Sequence, residues 1–341
     1  MNILFTSHRF FPDLGGIETH SRILANFFLK SGHKVVLVTK SLGHSSVDRE
    51  NFDFPIFRRP NKLLLWNLHC QADVVFQNNI EAQTLWPSFF IKKPSVITIQ
   101  TWICSASGQI RLRDYFKKMV LRRAACVVAI SESVRKSSFS NALVIPNSYD
   151  ESVFKINQGL CRSRELVFVG RLVSDKGVDL LVNVFSSIAR NTQAKLTIVG
   201  VGPEEAALRA LVASLGIQAR VDFAGPLTGA ELAEMFGRHE IAVIPSIWEE
   251  PFGIVALEAA ACGCVVVGSD GGGLPEAIGP CGLLFKRGDP LDLERVLRRL
   301  LENPSLRDSI RASSVRHLEM HRMDFLSKKY LDLLENLPKQ K

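Results

Sequence analysis

Short runs of β-branched and aliphatic residues alternate with amphipathic stretches along the whole chain. In the first half the runs are NILFTS, KVVLVTK, ADVVFQN, SVITIQ, CVVAIS and ALVIPN; in the second they are ELVFVG, KLTIVG, RVDFAG, IAVIPS and CVVVGS. Nearly continuous apolar strands separated by helical patterns predict parallel sheets covered on both faces. The chain therefore reads as α/β of the doubly wound type.

The alternation breaks at Asn147–Ser163, NSYDESVFKINQGLCRS, a polar stretch without periodicity, and restarts at Glu165. From His317 to Leu337 there is a helical pattern with no strand. This organisation predicts a domain over 1–155, a second over 156–316, and a terminal helical segment over 317–341. The halves repeat an architecture, not a sequence. In open parallel sheets ligands bind beyond the carboxyl ends of the strands, so two such domains facing a central cleft would carry their chemistry in the loops just after strands.

Length and composition agree with this picture. A chain of 341 residues exceeds the roughly 250–300 residues at which single cores stop growing. Hydrophobic residues make up 46%, which argues against disorder. The start, MNILFTSHRF, lacks a basic, apolar leader, and no apolar run comes near the roughly 20 residues that span a bilayer. The seven cysteines, Cys70, Cys104, Cys126, Cys161, Cys262, Cys264 and Cys281, are scattered. They read as free thiols in a reducing cytoplasm and offer no second pair to complete a zinc site.

Charge does change the picture. Residues 1–160 contain 20 Lys+Arg and 11 Asp+Glu, or +9, whereas residues 161–341 contain 22 and 23, or −1. The basic half is expected to meet something anionic. Within it, Ile110–Ala124, IRLRDYFKKMVLRRA, interleaves six cations and one Asp with apolar residues. Such a segment can lie on an anionic bilayer or be a core helix with a solvated basic edge.

Five loops are candidates for chemistry. After ELVFVG come Gly170, Arg171 and then Lys176-Gly177, which opens the next helix; the two cations could hold a diphosphate or be solvated surface charges. IVGVGPEE lacks the third glycine of a dinucleotide fingerprint, so Gly200 and Gly202 read as a tight turn. After IAVIPS, the stretch SIWEEPFGIVALEAAACG places Glu250 on a loop, Pro251 in the first helical turn and Glu258 one to two turns into a helix of small residues. Free N–H groups near Phe252, Gly253, Ile254 and Val255 could accept phosphate or sugar oxygens, and Glu258 could bind a ribose diol. The alternative is a helix-start anion with an exposed face residue. GSDGGGLPEAIG could form an amide nest or a flexible turn. In FFPDLGGIETH, Gly15-Gly16 precede a helix over Ile17–Lys30.

Taken together the motifs FPDLGGIETH, VIPNSYD, VGRLVSDKG, IVGVGP, EPFGIVALE and GGGLPE, in this order from residue 11 to about 276, resemble those of retaining glycosyltransferases of the GT-B fold, family 4 type (glycosyl transferases group 1). The resemblance implies an E-x7-E pair that reads a nucleotide sugar, with Glu250 on the sugar hydroxyls and Glu258 on the ribose. It implies that the backbone of Phe252, Gly253, Ile254 and Val255 holds sugar and pyrophosphate. Arg171 and Lys176, after Gly170, would neutralise the leaving diphosphate. Leu227, after RVDFAG, would lie against the base, and Gly15-Gly16 would approach the β-phosphate. It further implies that the terminal segment 317–341 crosses back to pack on the first domain, and that transfer proceeds with retention of configuration, without an enzyme nucleophile and without a metal; the chain contains no Asp-x-Asp. One departure is Gln100, where family members usually carry a histidine near the reacting sugar; Asn78 and Asn79 likewise replace frequent histidines.

The partners so implied are a nucleotide sugar as donor, a glycan or lipid-linked acceptor, and an anionic membrane surface met through 110–124, with no nucleic acid and no cofactor. The expected location is the cytoplasm, peripheral on the inner face of the membrane. A nucleotide-sugar epimerase of the same fold would need titratable groups where Gln100, Asn78 and Asn79 stand. A non-catalytic GT-B partner protein would not need Arg171, Lys176, Glu250 and Glu258. A dehydrogenase is disfavoured by the incomplete fingerprint.

Overall fold

A computed structural model describes residues 1–13, 15–43, 52–103 and 112–337. The chain forms two compact units. The first comprises Met1–Asn147 with Met323–Lys341, and the second comprises Ser148–Arg322. The division falls at Asn147, eight residues before the 155 expected from composition. The polar stretch that suggested the boundary belongs, beyond Asn147, to the second unit.

The first unit is built on seven parallel strands: β1 (Asn2–Ser7), β2 (Lys34–Thr39), β3 (Ile56–Arg58), β4 (Val74–Asn78), β5 (Ser95–Ile99), β6 (Cys126–Ala129) and β7 (Leu143–Val144). Their order is β3-β2-β1-β4-β5-β6-β7. Side-chain alternation sorts each strand onto two covered faces. Ile3, Phe5, Val74 and Phe76 enter one core with Leu24, Phe28 and Tyr330. Leu4, Val75 and Val38 enter the other with Leu65 and Leu68. That two-sided burial explains why the strands read as uninterrupted apolar runs.

The second unit has six parallel strands: β8 (Arg164–Val169), β9 (Leu196–Val199), β10 (Val221–Gly225), β11 (His239–Ile244), β12 (Val265–Ser269) and β13 (Gly282–Phe285), ordered β10-β9-β8-β11-β12-β13. Its core joins Leu166, Phe168, Ile241 and Val243 to Phe185, Leu293 and Leu297 from the flanking helices. Both sheets are doubly wound, with the strand order reversing between β1 and β4 in the first and between β8 and β11 in the second. Those reversals open crevices at the strands' carboxyl ends.

The helices, numbered along the chain, are α1 (Gly16–Lys30), α2 (Lys62–Gln71), α3 (Ala82–Leu85), α4 (Leu112–Arg123), α5 (Glu132–Ser138), α6 (Val178–Ala189), α7 (Glu205–Ser214), α8 (Gly229–Gly237), α9 (Ile254–Ala261), α10 (Leu274–Ile278), α11 (Pro290–Leu301), α12 (Pro304–Met320) and α13 (Met323–Glu335). The terminal segment is two helices, not one. α12 stays in the second unit and α13 joins the first, where Tyr330 is fully buried, edge-on to Phe76 at 5.8 Å and His20 at 5.5 Å. No helix among the described residues is long and apolar enough to cross a membrane.

Candidate active site

The crevice of the second sheet is assembled by glycines that let backbone segments meet. The turn Ser174–Lys176 ends at Gly177, at φ 65°, where a Cβ would lie 2.2 Å from the Pro245 carbonyl oxygen. The loop after β8 therefore presses on the exit of β11. There the Asp175 carbonyl accepts the N–H groups of Ile247 and Trp248, both at 3.1 Å. Lys176 ends this 3₁₀ turn and Gly177 is the N-cap of α6, which starts at Val178. Lys176 Nζ donates to Glu250 Oε1 at 2.5 Å, and Ser246 Oγ donates to the same oxygen at 2.7 Å.

Glu250 is fixed through its main chain as well. Gly272, at φ 64°, has room for its backbone against the Glu250 carbonyl only because it lacks a Cβ, which would lie 2.3 Å from that oxygen. Gly273 N–H donates to the same carbonyl at 2.7 Å. The triple-glycine turn thus commits an amide to bracing the Glu250 loop. Neighbouring Glu249 turns away to pair with Arg287, Oε1 to Nη1 2.9 Å. Arg171, just past Gly170, is exposed.

Pro251 lies ahead of α9 and not in its first turn. The helix begins at Ile254 after Gly253, which takes φ 110° and supplies no side-chain cap. First-turn N–H groups have no intrahelical partner, so an uncapped start offers them to an anion. Ala256, Ala259, Ala260 and Ala261 are buried, so the helix seats closely on its neighbours. Phe252, itself buried, stacks on His321 with 6.0 Å between ring centres. Glu258 follows in the second turn. Its surroundings are largely protein, and burial, helped by the Asp150 carboxylate, pushes its carboxyl up to about 7. Leu227 lies half-buried in the loop after β10.

In the first unit, Gly15 caps α1 in extended conformation and Gly16 is its first residue. Gln100 is 5% exposed and lies inside a polar network. Its Nε2 donates to Asn78 Oδ1 at 2.9 Å and to His20 Nδ1 at 3.1 Å, with Thr98 Oγ1 at 3.3 Å; its Oε1 accepts from Asn147 Nδ2 at 3.0 Å. Asn78 also donates to Ser21 Oγ at 2.7 Å and accepts from Thr98 Oγ1 at 2.7 Å. Full burial lowers the His20 pKa to about 4, so the imidazole is neutral, with Nδ1 between Gln100 Nε2 at 3.1 Å and Asn78 Oδ1 at 3.4 Å. Residues 110 and 111 of the basic segment lie outside the described residues. In α4, Asp114, Val120 and Leu121 are buried, while Tyr115, Phe116 and Met119 are exposed beside Arg122 and Arg123.

The site therefore joins Lys176, Glu250 and Ser246 in one hydrogen-bonded cluster, with Gly253–Val255 and Glu258 following directly in the chain. Ser246, His20 and His321 were missed from the sequence. Ser246 ends the IAVIPS run, a strand-end position that could have singled it out; His20 ends the FPDLGGIETH motif, and His321 carries no local signal.

Sequence comparison addresses the same region. The family model for glycosyl transferases group 1 matches residues 154–316. An uncharacterized glycosyltransferase of Methanocaldococcus jannaschii is 39% identical over 311 residues, covering 78% of this chain and 79% of that protein. The chain belongs to the group 1 glycosyltransferases. The phosphatidylinositol N-acetylglucosaminyltransferase gpi3 subunit of Schizosaccharomyces pombe is 25% identical over 339 residues, covering 86% of this chain and 71% of its own length. The crystal structure of Anabaena Alr3699/HepE in complex with UDP superposes with a TM-score of 0.85 at 19% identity, covering 99% of this chain and all of that one. This likeness places the fold in the GT-B class.

Proposed function

We propose that this glycosyltransferase moves a hexose or N-acetylhexosamine from a nucleotide-diphosphate sugar to a glycan or lipid-linked acceptor, with retention of configuration and without a metal. The observation that carries the reading is the cluster Lys176–Glu250–Ser246 at the strand-order reversal, one helix start away from Glu258. Glycosyl transfer builds negative charge on the departing diphosphate and positive charge on the sugar. Fixed cations aimed at the leaving group lower that barrier. Arg171 and Lys176 supply the cations, the N–H groups at the start of α9 supply further donors, and Glu250 meets the sugar hydroxyls. Glu258, as a carboxylate, accepts from the ribose diol.

Similar proteins support a nucleotide-sugar donor and transfer of a hexose. One structural neighbour is described with UDP-glucose, and one relative is named an MMP α-(1→4)-mannosyltransferase. The exposed aromatic and basic residues of α4 support an enzyme that works on an anionic membrane surface, taking its donor from the cytoplasm. The test is to incubate the protein with UDP- and GDP-linked sugars and a lipid extract, follow nucleoside diphosphate release with and without a chelator, and assign the product anomer by NMR. Interconversion of donor sugars without transfer would favour the epimerase reading.

A further inference from the structure

The first unit carries a second exposed feature, next to α4. Leu63 and Phe90 are 71% and 72% exposed. Behind them, Trp66 stacks on Trp86 at 5.8 Å, and Phe90 touches both indoles, at 6.2 Å and 6.3 Å. The neighbouring Phe89 lies 5.5 Å from Phe116 of α4 and carries the Arg123 guanidinium over its ring at 5.4 Å. The aromatic surface is thus continuous from α2, through the turn Trp86–Phe89, to α4.

Charge decides what such a surface fits. The segments that bear it, 62–72, 85–93 and 114–123, contain seven cations: Lys62, Lys92, Lys93, Lys117, Lys118, Arg122 and Arg123. They contain one carboxylate, Asp114, which is completely buried. A protein-binding patch is depleted in lysine. Indole rings set among lysines and arginines, with no exposed acid, instead match the interfacial layer of an anionic bilayer. There the aromatics sit at the headgroup level and each cation gains from the surface potential.

We infer that Leu63, Trp66, Trp86 and Phe90 form an insertion surface that enters the headgroup–acyl boundary of an anionic membrane, with α4 as its electrostatic flank. This deepens the peripheral-membrane reading proposed above and rests on it. Adsorption through α4 cations alone would need none of these four side chains. Their side is what fixes the depth and orientation of the first unit.

The experiment uses vesicles of phosphatidylcholine alone, of phosphatidylcholine with phosphatidylglycerol, and of the same mixture brominated in the acyl chains. The chain has four tryptophans, so Trp66→Phe/Trp86→Phe assigns the signal. The wild type should bind only vesicles containing phosphatidylglycerol, shift its emission to the blue and be quenched by bromine; the Trp66→Phe/Trp86→Phe protein should lose that quenching. Leu63→Ser/Phe90→Ser, at exposed positions that leave the core intact, should lower the partition coefficient about tenfold or more, with nucleoside diphosphate release from donor alone unchanged. Binding to anionic vesicles with unchanged emission would overturn the insertion surface and leave the peripheral reading standing. No binding to any vesicle would overturn both. A wild-type dimer that Leu63→Ser/Phe90→Ser converts to a monomer would assign the face to a second copy of the chain and overturn the inference.

Discussion

Lys176 and Glu250, 74 residues apart in the chain, meet through Nζ and Oε1 at 2.5 Å. Each side chain is less than a quarter exposed, so the pair is well shielded from solvent. The group proposed to neutralise the diphosphate and the group proposed to meet the sugar therefore hold each other in place. Lys176→Ala and Arg171→Ala should each lower kcat about a hundredfold, because both are proposed to act where charge develops. In a double-mutant cycle of kcat/KM, Lys176→Ala and Glu250→Gln should be strongly non-additive, since each removes the other's partner. Additive losses would mean that the two side chains act separately.

Glu258 should report on donor binding rather than on chemistry. A ribose contact is the same in ground and transition states, so Glu258→Gln should raise the donor KM and leave kcat nearly unchanged. The proposed contact needs the carboxylate, and burial raises this carboxyl to about 7. Donor KM in the wild type should therefore fall as pH rises through that value, and in Glu258→Gln this dependence should flatten. Stability moves the other way. Between the unfolded pKa, about 4.5, and the folded value the native state binds more protons than the unfolded one, so the contribution of Glu258 falls as pH rises. Glu258→Gln should melt higher than the wild type above that window and equally below it.

His20 has the opposite linkage. Its folded pKa, about 4, lies below the ordinary 6.5, so the unfolded state binds more protons in that window. Its contribution to stability is complete above the upper value and is lost as pH falls toward the lower. His239 in the second unit, lowered to about 4 by burial, adds to the same trend. His20→Asn should reduce the acid sensitivity of thermal unfolding.

Gln100 ties this network together. Gln100→Ala would leave Asn78, Asn147 and His20 short of partners in a buried site and should cost about 1–3 kcal/mol in denaturant unfolding. Gln100→His, the residue usual in the resembling family, should retain part of that stability through a single ring nitrogen. An alanine variant as stable as the wild type would show that the network is not structurally important.

Tyr330 anchors α13 in the core of the first unit. Tyr330→Ala should destabilise that unit by about 3–5 kcal/mol, the range for removing a buried aromatic ring. Truncation after Arg322 should expose the apolar seat of α13 and yield insoluble protein. A soluble truncated protein with normal activity would contradict this packing.

The sequence disclosed the sheets because both faces of each strand are buried, which leaves an uninterrupted apolar run. It missed β3 and β13. Each is a short strand at a sheet edge, and IFR and GLLF carry too few residues to stand out from a loop. Glu250 and Glu258 stood out as carboxylates in a small-residue stretch. Their environments did not. That Ser246, Lys176 and Gly273 converge on Glu250 follows from glycines at 177 and 272 admitting backbone contacts, a long-range property that no local pattern encodes. The Gln100 network is similarly invisible, since it draws residues from α1, β4, β5 and the chain at Asn147. The terminal helical pattern ran continuously through His321, but the chain there leaves one unit for the other, and periodicity does not register that break.

The central claim is transfer of a sugar from a nucleotide-diphosphate donor by the Lys176–Glu250 site. The most direct measurement follows, in one reaction, nucleoside diphosphate release and the mass of the acceptor, across a panel of UDP- and GDP-sugars, for the wild type and for Lys176→Ala. The account predicts that for at least one donor the acceptor gains one glycosyl residue per nucleoside diphosphate released, and that both signals fall together about a hundredfold in Lys176→Ala. Acceptor glycosylation that proceeds at the wild-type rate in Lys176→Ala, or nucleotide-sugar turnover with no glycosylated product for any donor, would contradict it.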